Sequence, residues 1–239
     1  MITARGLTKR YGACRALDAV TFTAPDGAIT GLLGANGAGK TTTFRILSGL
    51  LRADHGDVRL AGREGRPATL GVLPHAHGVY GRLTVREHIR YFAELRGALP
   101  GRLDERVAQL IDQLGLGGAA DVPARTLSEG QRVKLLLAGA IVHEPDNLIL
   151  DEPTSGLDVV STRALHARLR SLRDRGACVL FSSHVMSEVA SLCDTVVMLV
   201  DGVVAAAGAP AALLARYGAG SLDDLFVSLT APGSVEGGR

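Results

Sequence analysis

Lysine is scarce in this chain. Lys9, Lys40 and Lys134 are its only examples, and nearly every other positive charge is an arginine. Lys40 closes the run Gly34-Ala35-Asn36-Gly37-Ala38-Gly39-Lys40-Thr41, which fits the pattern G-x-x-x-x-G-K-[ST] after an apolar strand and before a helix. Such a loop aims backbone N–H groups at an anion, and side chains larger than hydrogen at its glycines are expected to obstruct that approach. A slim ammonium can reach along the loop to the outer phosphates of a nucleotide, where a planar guanidinium is wider and fixed in a fork. Thr41 is then the expected Mg²⁺ ligand. Downstream, "NLILDEP" ends an apolar strand in Asp151 and Glu152, two carboxylates at the carboxyl edge of a parallel sheet. Asp151 is expected to hold Mg²⁺ directly or through water, and Glu152 to orient and deprotonate a water attacking the γ-phosphate.

Elements with the right periods surround these residues. Strands are expected at "VTFTA", "AITGLLG" and "DVRLAG", with a helix through "KTTTFRILSGLL" after the glycine loop. From Thr84 to about Leu116 the pattern turns helical, with Thr84 and Asp104 as starts and Gly97 and Gly115 as stops. The second half alternates: helix "RVKLLLAGAIVHE", strand "NLILD", helix "TRALHARLRSLRDRG", strand "CVLFSS", helix "VMSEVASLC", strand "TVVMLV". That order describes parallel α/β architecture. The apolar stretch from Val196 is broken by Asp201-Gly202 and by Pro210, so it reads as two strands around a turn and then a helix, not as a membrane span.

Composition sets outer limits. The 239 residues are 46% hydrophobic, 21% charged and 4% aromatic, which describes a globular chain with an aliphatic core. A formal charge of +2, with acids interleaved among the arginines, gives no ground for a nucleic-acid partner, and none is expected. Cys14, Cys178 and Cys193 have neither zinc spacing nor an even count, so a reducing compartment is expected. The first twenty residues lack the apolar core of a signal peptide.

"LSEGQ", Leu127 to Gln131, has a plain reading: Ser128 and Gln131 form a capping box at a helix start. Together, however, Tyr11, "GANGAGKT", "LSEGQ", "LILDEP", "SGLD" at Ser155 to Asp158 and His184 in "SSHVMSEV" resemble the ATP-binding cassette (ABC) family in order and spacing, over about residues 1 to 230. The resemblance implies an α/β P-loop NTPase with a RecA-like core, an N-terminal antiparallel β-subdomain and an α-helical subdomain at about 76–137, followed by a loose tail at 231–239. It implies ATP and Mg²⁺ as cofactors, with nucleotide contacts from the loop through Thr42. Tyr11 would stack on adenine. Ser128 and Gly130, with Gln131, would meet the γ-phosphate of ATP held by the opposite subunit through a positive helix end. Asp158 would lie at the subunit junction, and His184 would bind the γ-phosphate and help order the water. Two copies would sandwich two ATP molecules and part on hydrolysis.

Two positions depart from the family pattern. Glu129 replaces a glycine, and its carboxylate is expected to point outward, away from phosphate. His75 stands where a glutamine that senses Mg²⁺ is usual, so it is either a metal-water ligand active only when neutral or a tolerated polar substitute; His77 is a weaker alternative. The block "GVYGRLTVREHIRYFAELRG" is similar to the helical region of sodium-exporter (NatA-type) ATPases, and "GSLDDLFVSLT" to the end of ABC-2 ATPase subunits. The implied function is the ATPase of an exporter, with sodium as cargo and an ABC-2 type permease as partner, peripheral at the cytoplasmic face of the inner membrane and touching the membrane only through that partner. An ABC-2 ATPase for a drug, lipid or polysaccharide is the alternative. A soluble ABC ATPase acting on DNA or ribosomes lacks its expected coiled coil or second cassette here, and a bare nucleotide sensor would need neither Glu152 nor His184.

Overall fold

Buried strands whose successive side chains face opposite ways account for the layering of the molecule. The computed structural model describes residues 1–62, 66–74, 78–97 and 100–231. In chain order its elements begin with β1 (Ile2–Tyr11), β2 (Cys14–Ala24), β3 (Ala28–Gly34), α1 (Lys40–Leu47), β4 (His55–Leu60) and β5 (Leu70–Leu73). Three helices follow, α2 (Val85–Leu95), α3 (Leu103–Gln113) and α4 (Glu129–Ile141), and then β6 (Asn147–Asp151), α5 (Val159–Asp174), β7 (Cys178–Ser182) and α6 (Met186–Leu192). The hairpin β8 (Thr195–Val200) and β9 (Val203–Gly208) leads to α7 (Pro210–Tyr217) and α8 (Leu222–Thr230).

The central sheet runs β5-β6-β7-β3-β8-β9, parallel except for the β8–β9 hairpin. Leu148, Leu150, Val179, Phe181, Val196 and Met198 face a core shared with the helices, while Ile149, Leu180, Val197 and Leu199 face the second sheet and α1. Alternation on strands covered on both sides explains why β6 and β7 read as continuous apolar runs. The second sheet, β2-β1-β4, is antiparallel and delivers Ile2, Leu7, Leu17 and Phe22 to that other core.

Helix boundaries follow local chemistry. Thr84 caps α2 in a full capping box with Glu87, and the helix stops at Gly97, at φ 77°. α3 starts at Leu103, so Asp104 lies inside its first turn, where a carboxylate complements the helix dipole, rather than at the cap. α1 ends at Leu47, short of the sequence expectation, because Gly49 turns left-handed at φ 76°. Strand β1 escapes the sequence pattern: Gly6 at φ 59° and register shifts after Ala4 and Leu7 break its alternation. Among the described residues no helix is long and apolar enough to cross a membrane. The expected loose tail, and His75 and His77, fall outside the described residues except for Ala231.

Candidate functional site

Sheet register gathers the charged residues. Ser182, the last residue of β7, pairs with Asp151 of β6 on one side and with Leu32 of β3 on the other, two residues before Gly34. The glycine loop and the Asp151-Glu152 pair therefore leave the same carboxyl edge, where ligands of parallel sheets bind.

Within the loop, Lys40 is only 8% exposed, and its ammonium donates to the carbonyls of Gly34 (2.7 Å) and Ala35 (3.2 Å). An ammonium has three N–H donors, and Lys40 has no carboxylate ion pair among the described residues. A buried cation without a counter-charge calls for an anion, so the loop fits a polyphosphate. Two of the glycines also meet a steric demand of the protein itself. A Cβ on Gly39, at φ 105°, would lie 2.7 Å from the Ala16 carbonyl and 2.6 Å from Leu17 Cδ2, and one on Gly34 would lie 2.7 Å from the Leu199 carbonyl. These two glycines let β2 and β8 approach the loop, while a Cβ on Gly37 would meet nothing within 4 Å. Ala35 and Asn36 are exposed, Ala38 is buried, and Thr41 and Thr42 occupy the first turn of α1, Thr41 exposed and Thr42 half-buried.

At the ends of β6 and β7 the side chains lock together. Ser182 Oγ donates to Asp151 Oδ1 (2.7 Å) and accepts from the Glu152 N–H (2.9 Å). Glu152 sits at φ 53°, a left-handed conformation that costs a non-glycine residue about 1–3 kcal/mol and is held here by that bond. The turn brings Glu152 Oε2 within 2.7 Å of His184 Nδ1. With Nδ1–H donating to the carboxylate, the neutral ring leaves Nε2 as an acceptor, on a side chain that is 67% exposed. Thr41 and Asp151 offer a hydroxyl and a carboxylate, the oxygen donors that suit Mg²⁺, which takes one or two carboxylates, substrate phosphates and water.

Residues 17–155 match the ABC transporter family. The chain belongs to the ABC transporter ATP-binding family. Nod factor export ATP-binding protein I of Paraburkholderia xenovorans is 39% identical over 87% of this chain and 70% of that protein. The linearmycin resistance ATP-binding protein LnrL of Bacillus subtilis is 32% identical over 95% and 75%. A solved ATP-binding subunit of an ABC transporter superposes with a TM-score of 0.88 at 31% identity, covering 96% of this chain and 99% of that one. The fold is accordingly that of an α/β P-loop NTPase, with an antiparallel β-subdomain and a helical part, and the ABC protein is an ATPase that binds ATP.

The remaining motifs of this ABC chain are carried by other elements. Ser128 caps α4: its Oγ accepts from Gln131 N–H (3.3 Å), and Gln131 Oε1 accepts from Ser128 N–H (3.0 Å). The capping box is real, and Ser128 is exposed beside it. Gly130 packs near Leu157 and Gly156, and a Cβ on Gly156 would lie 2.8 Å from the Glu129 carboxyl carbon, so that carboxylate leans on the "SGLD" turn of its own chain. Asp158 caps α5, accepting from Ser161 N–H (2.7 Å), a bond that holds its carboxyl below the ordinary range. Tyr11 ends β1, half-exposed, with the Lys9 ammonium 5.9 Å from its ring. The structure thus unites Glu152 with His184 and Asp151 with Ser182, and packs Glu129 and Gly130 beside Ser128 against the turn that leads into Asp158.

Sequence reasoning passed over Ser182, Ser183, Thr154, His166 and Glu188. The paired serines closing an otherwise apolar strand were a usable signal; the others are joined only in three dimensions.

Proposed function

We propose that residues 1–230 act as one nucleotide-binding domain, the ATP-hydrolysing subunit of an ABC exporter, in which two copies close head to tail on two ATP molecules. The observation that carries this reading is the Glu152–His184 pair at the edge that also holds the Lys40 loop, because hydrolysis needs an anion cradle and a base side by side. Lys40 draws the triphosphate into the loop. Thr41 and Asp151 hold Mg²⁺, which supplies charge neutralisation on the phosphates when bound. Glu152 takes the proton of the attacking water, and His184 fixes the carboxylate's orientation through Nδ1, which leaves Nε2 available to the γ-phosphate. Tyr11 offers an exposed ring for adenine.

A second copy supplies what this edge lacks. Ser128 and Gly130 stand at an exposed helix tip, and Val159 and Val160 beside Asp158 are 69% and 78% exposed, apolar surface that suits burial against another copy. For the membrane partner, an ABC-2 type permease, Tyr80 and Tyr91 form an exposed aromatic patch with Phe92 on α2, on the helical part expected to bind it. The chain would then sit peripherally at the cytoplasmic face of the membrane.

The sodium reading rests on the block around Gly78 to Gly97; the relatives named for Nod factor export and linearmycin resistance favour an organic cargo as the second reading. Light scattering of Glu152→Gln with magnesium-ATP should return a dimer mass, and a monomer at every concentration removes the sandwich. ATP-driven efflux of radioactive sodium from vesicles holding the co-purified permease selects sodium. Efflux of an amphiphilic compound alone selects the second reading.

A further inference from the structure

We propose that Glu188, braced by His166, is a positioning residue for hydrolysis: it ties the segment that follows Glu152 to the segment that carries His184. Glu188 lies on α6, is 8% exposed, and touches neither the phosphate loop nor Glu152 in the bonds it makes. Its Oε2 accepts from Ser183 Oγ (2.6 Å) and from Thr154 Oγ1 (3.1 Å), while Oε1 meets His166 Nε2 at 2.6 Å. Ser183 Oγ in turn accepts from Val185 N–H (3.0 Å), so the backbone on both sides of His184 is pinned to one carboxylate. Thr154 lies two residues beyond Glu152, in the turn in which Ser155 N–H bonds the Glu152 carbonyl and Leu157 N–H bonds the Thr154 carbonyl. Gly156 and Leu157 of that turn are what Glu129 and Gly130 pack against, so the same anchor reaches the start of α4.

Burial pushes the Glu188 carboxyl up, but the bonds from His166, Ser183 and Thr154 outweigh it and hold it below the ordinary range. A carboxylate carrying three donors in a largely closed site is a rigid clamp, and leaving those donors unpaired loosens both segments. The clamp forms the floor of a cleft of about 740 Å³ between α5 and α6, with Arg163 and Arg170 at its walls. Misplacing a catalytic pair by about 1 Å is enough to lose roughly 10²-fold in rate, whereas nucleotide binding through the Lys40 loop does not pass through Glu188.

The inference rests on the reading of Glu152 and His184 as the hydrolytic pair, and the test separates the two. Steady-state ATPase kinetics and binding of a fluorescent ATP analogue are measured on the full chain. Glu188→Ala is expected to lower kcat at least about tenfold with the analogue Kd within about twofold. Glu188→Gln keeps an acceptor for Ser183 and Thr154, and His166 can change tautomer to meet the amide, so kcat should return to within about threefold of the parent. If Glu188→Ala does not fold, Ser183→Ala and Thr154→Val replace it: each should lower kcat at constant Kd, and the double variant should lose less than the sum of the two losses. Wild-type kcat in Glu188→Ala, equal losses in the Ala and Gln variants, or strict additivity in the pair overturns the clamp. With Glu152→Gln run in parallel, an inactive Glu152→Gln beside an unimpaired Glu188→Ala sinks the clamp alone, and an active Glu152→Gln sinks the hydrolytic pair and the clamp with it.

Discussion

The strand-edge half of the site and the helix-tip half are built on opposite principles. At the edge, Lys40, Asp151 and Glu152 are buried, and each is held by a partner fixed in the sheet or its loops: loop carbonyls for Lys40, Ser182 for Asp151, His184 for Glu152. At the tip, Ser128 and Asp158 are exposed and bond only within their own first turns, to Gln131 and Ser161. A buried charge must be positioned by its surroundings or it is not tolerated. An exposed cap is satisfied locally and leaves its outer face open to something else. The edge is therefore preorganised within one chain, whereas the tip is complete as structure with its outer face exposed.

That contrast is most exposed to test at Glu152. Replacing it by Gln removes the base and keeps the shape, so kcat should fall roughly 10²–10⁴-fold while ATP binding persists. Persistent turnover would mean the edge is not where the water is activated. Lys40→Ala comes next: it removes the buried ammonium, and kcat/KM should fall about 10²–10³-fold with loss of tight binding in a fluorescent-nucleotide titration. Weakened stability with intact binding would show instead that Lys40 serves the two carbonyls it already holds.

Much of the edge was legible because its determinants are local. The loop from Gly34 to Thr41 is continuous in sequence, and Asp151-Glu152 closes a strand whose five residues are all buried. The tip was legible for the same reason, since a capping box spans only Ser128 to Gln131. What stayed hidden depends on packing between distant segments. His166 and Glu188 stand on different helices and read singly as surface polar residues. That Gly34 and Gly39 also let β8 and β2 close on the loop shows only once those strands are placed. Strand β1 was missed because a bulge at Gly6 erases the alternation that marks a strand.

Ser128→Ala asks whether the tip does more than cap its helix. Losing the cap alone costs about 1 kcal/mol, a melting shift of roughly 2–4 °C for a domain of this size. If the Ser128 hydroxyl also serves a nucleotide on a second copy, turnover per folded molecule should fall well beyond what that shift explains, and Ser128→Thr, which keeps the hydroxyl, should recover it. A variant that melts lower and turns over normally would reduce "LSEGQ" to a capping box.

The helical part that carries the tip offers a further test at His88, read in stability and not in turnover. Its ring is fully buried on α2 among Tyr80 (6.0 Å between centroids) and Phe92 (4.9 Å), with neither nitrogen hydrogen-bonded. Burial lowers its pKa from 6.5 to about 4, so it is neutral in the folded chain at pH 7. The unfolded chain binds a proton at His88 as pH drops below 6.5, and the folded chain does not until about 4, so stability present above pH 6.5 is lost progressively across that window. His88→Phe has no such proton to gain and relieves two unsatisfied nitrogens. Its melting temperature should match or exceed the parent's at pH 7, and the gap should widen as the pH is lowered towards 4.5. Parallel melting curves across that range would mean the ring finds a partner on protonation, and the interior of the helical part would then accommodate a charge by partnering it, as the strand edge does.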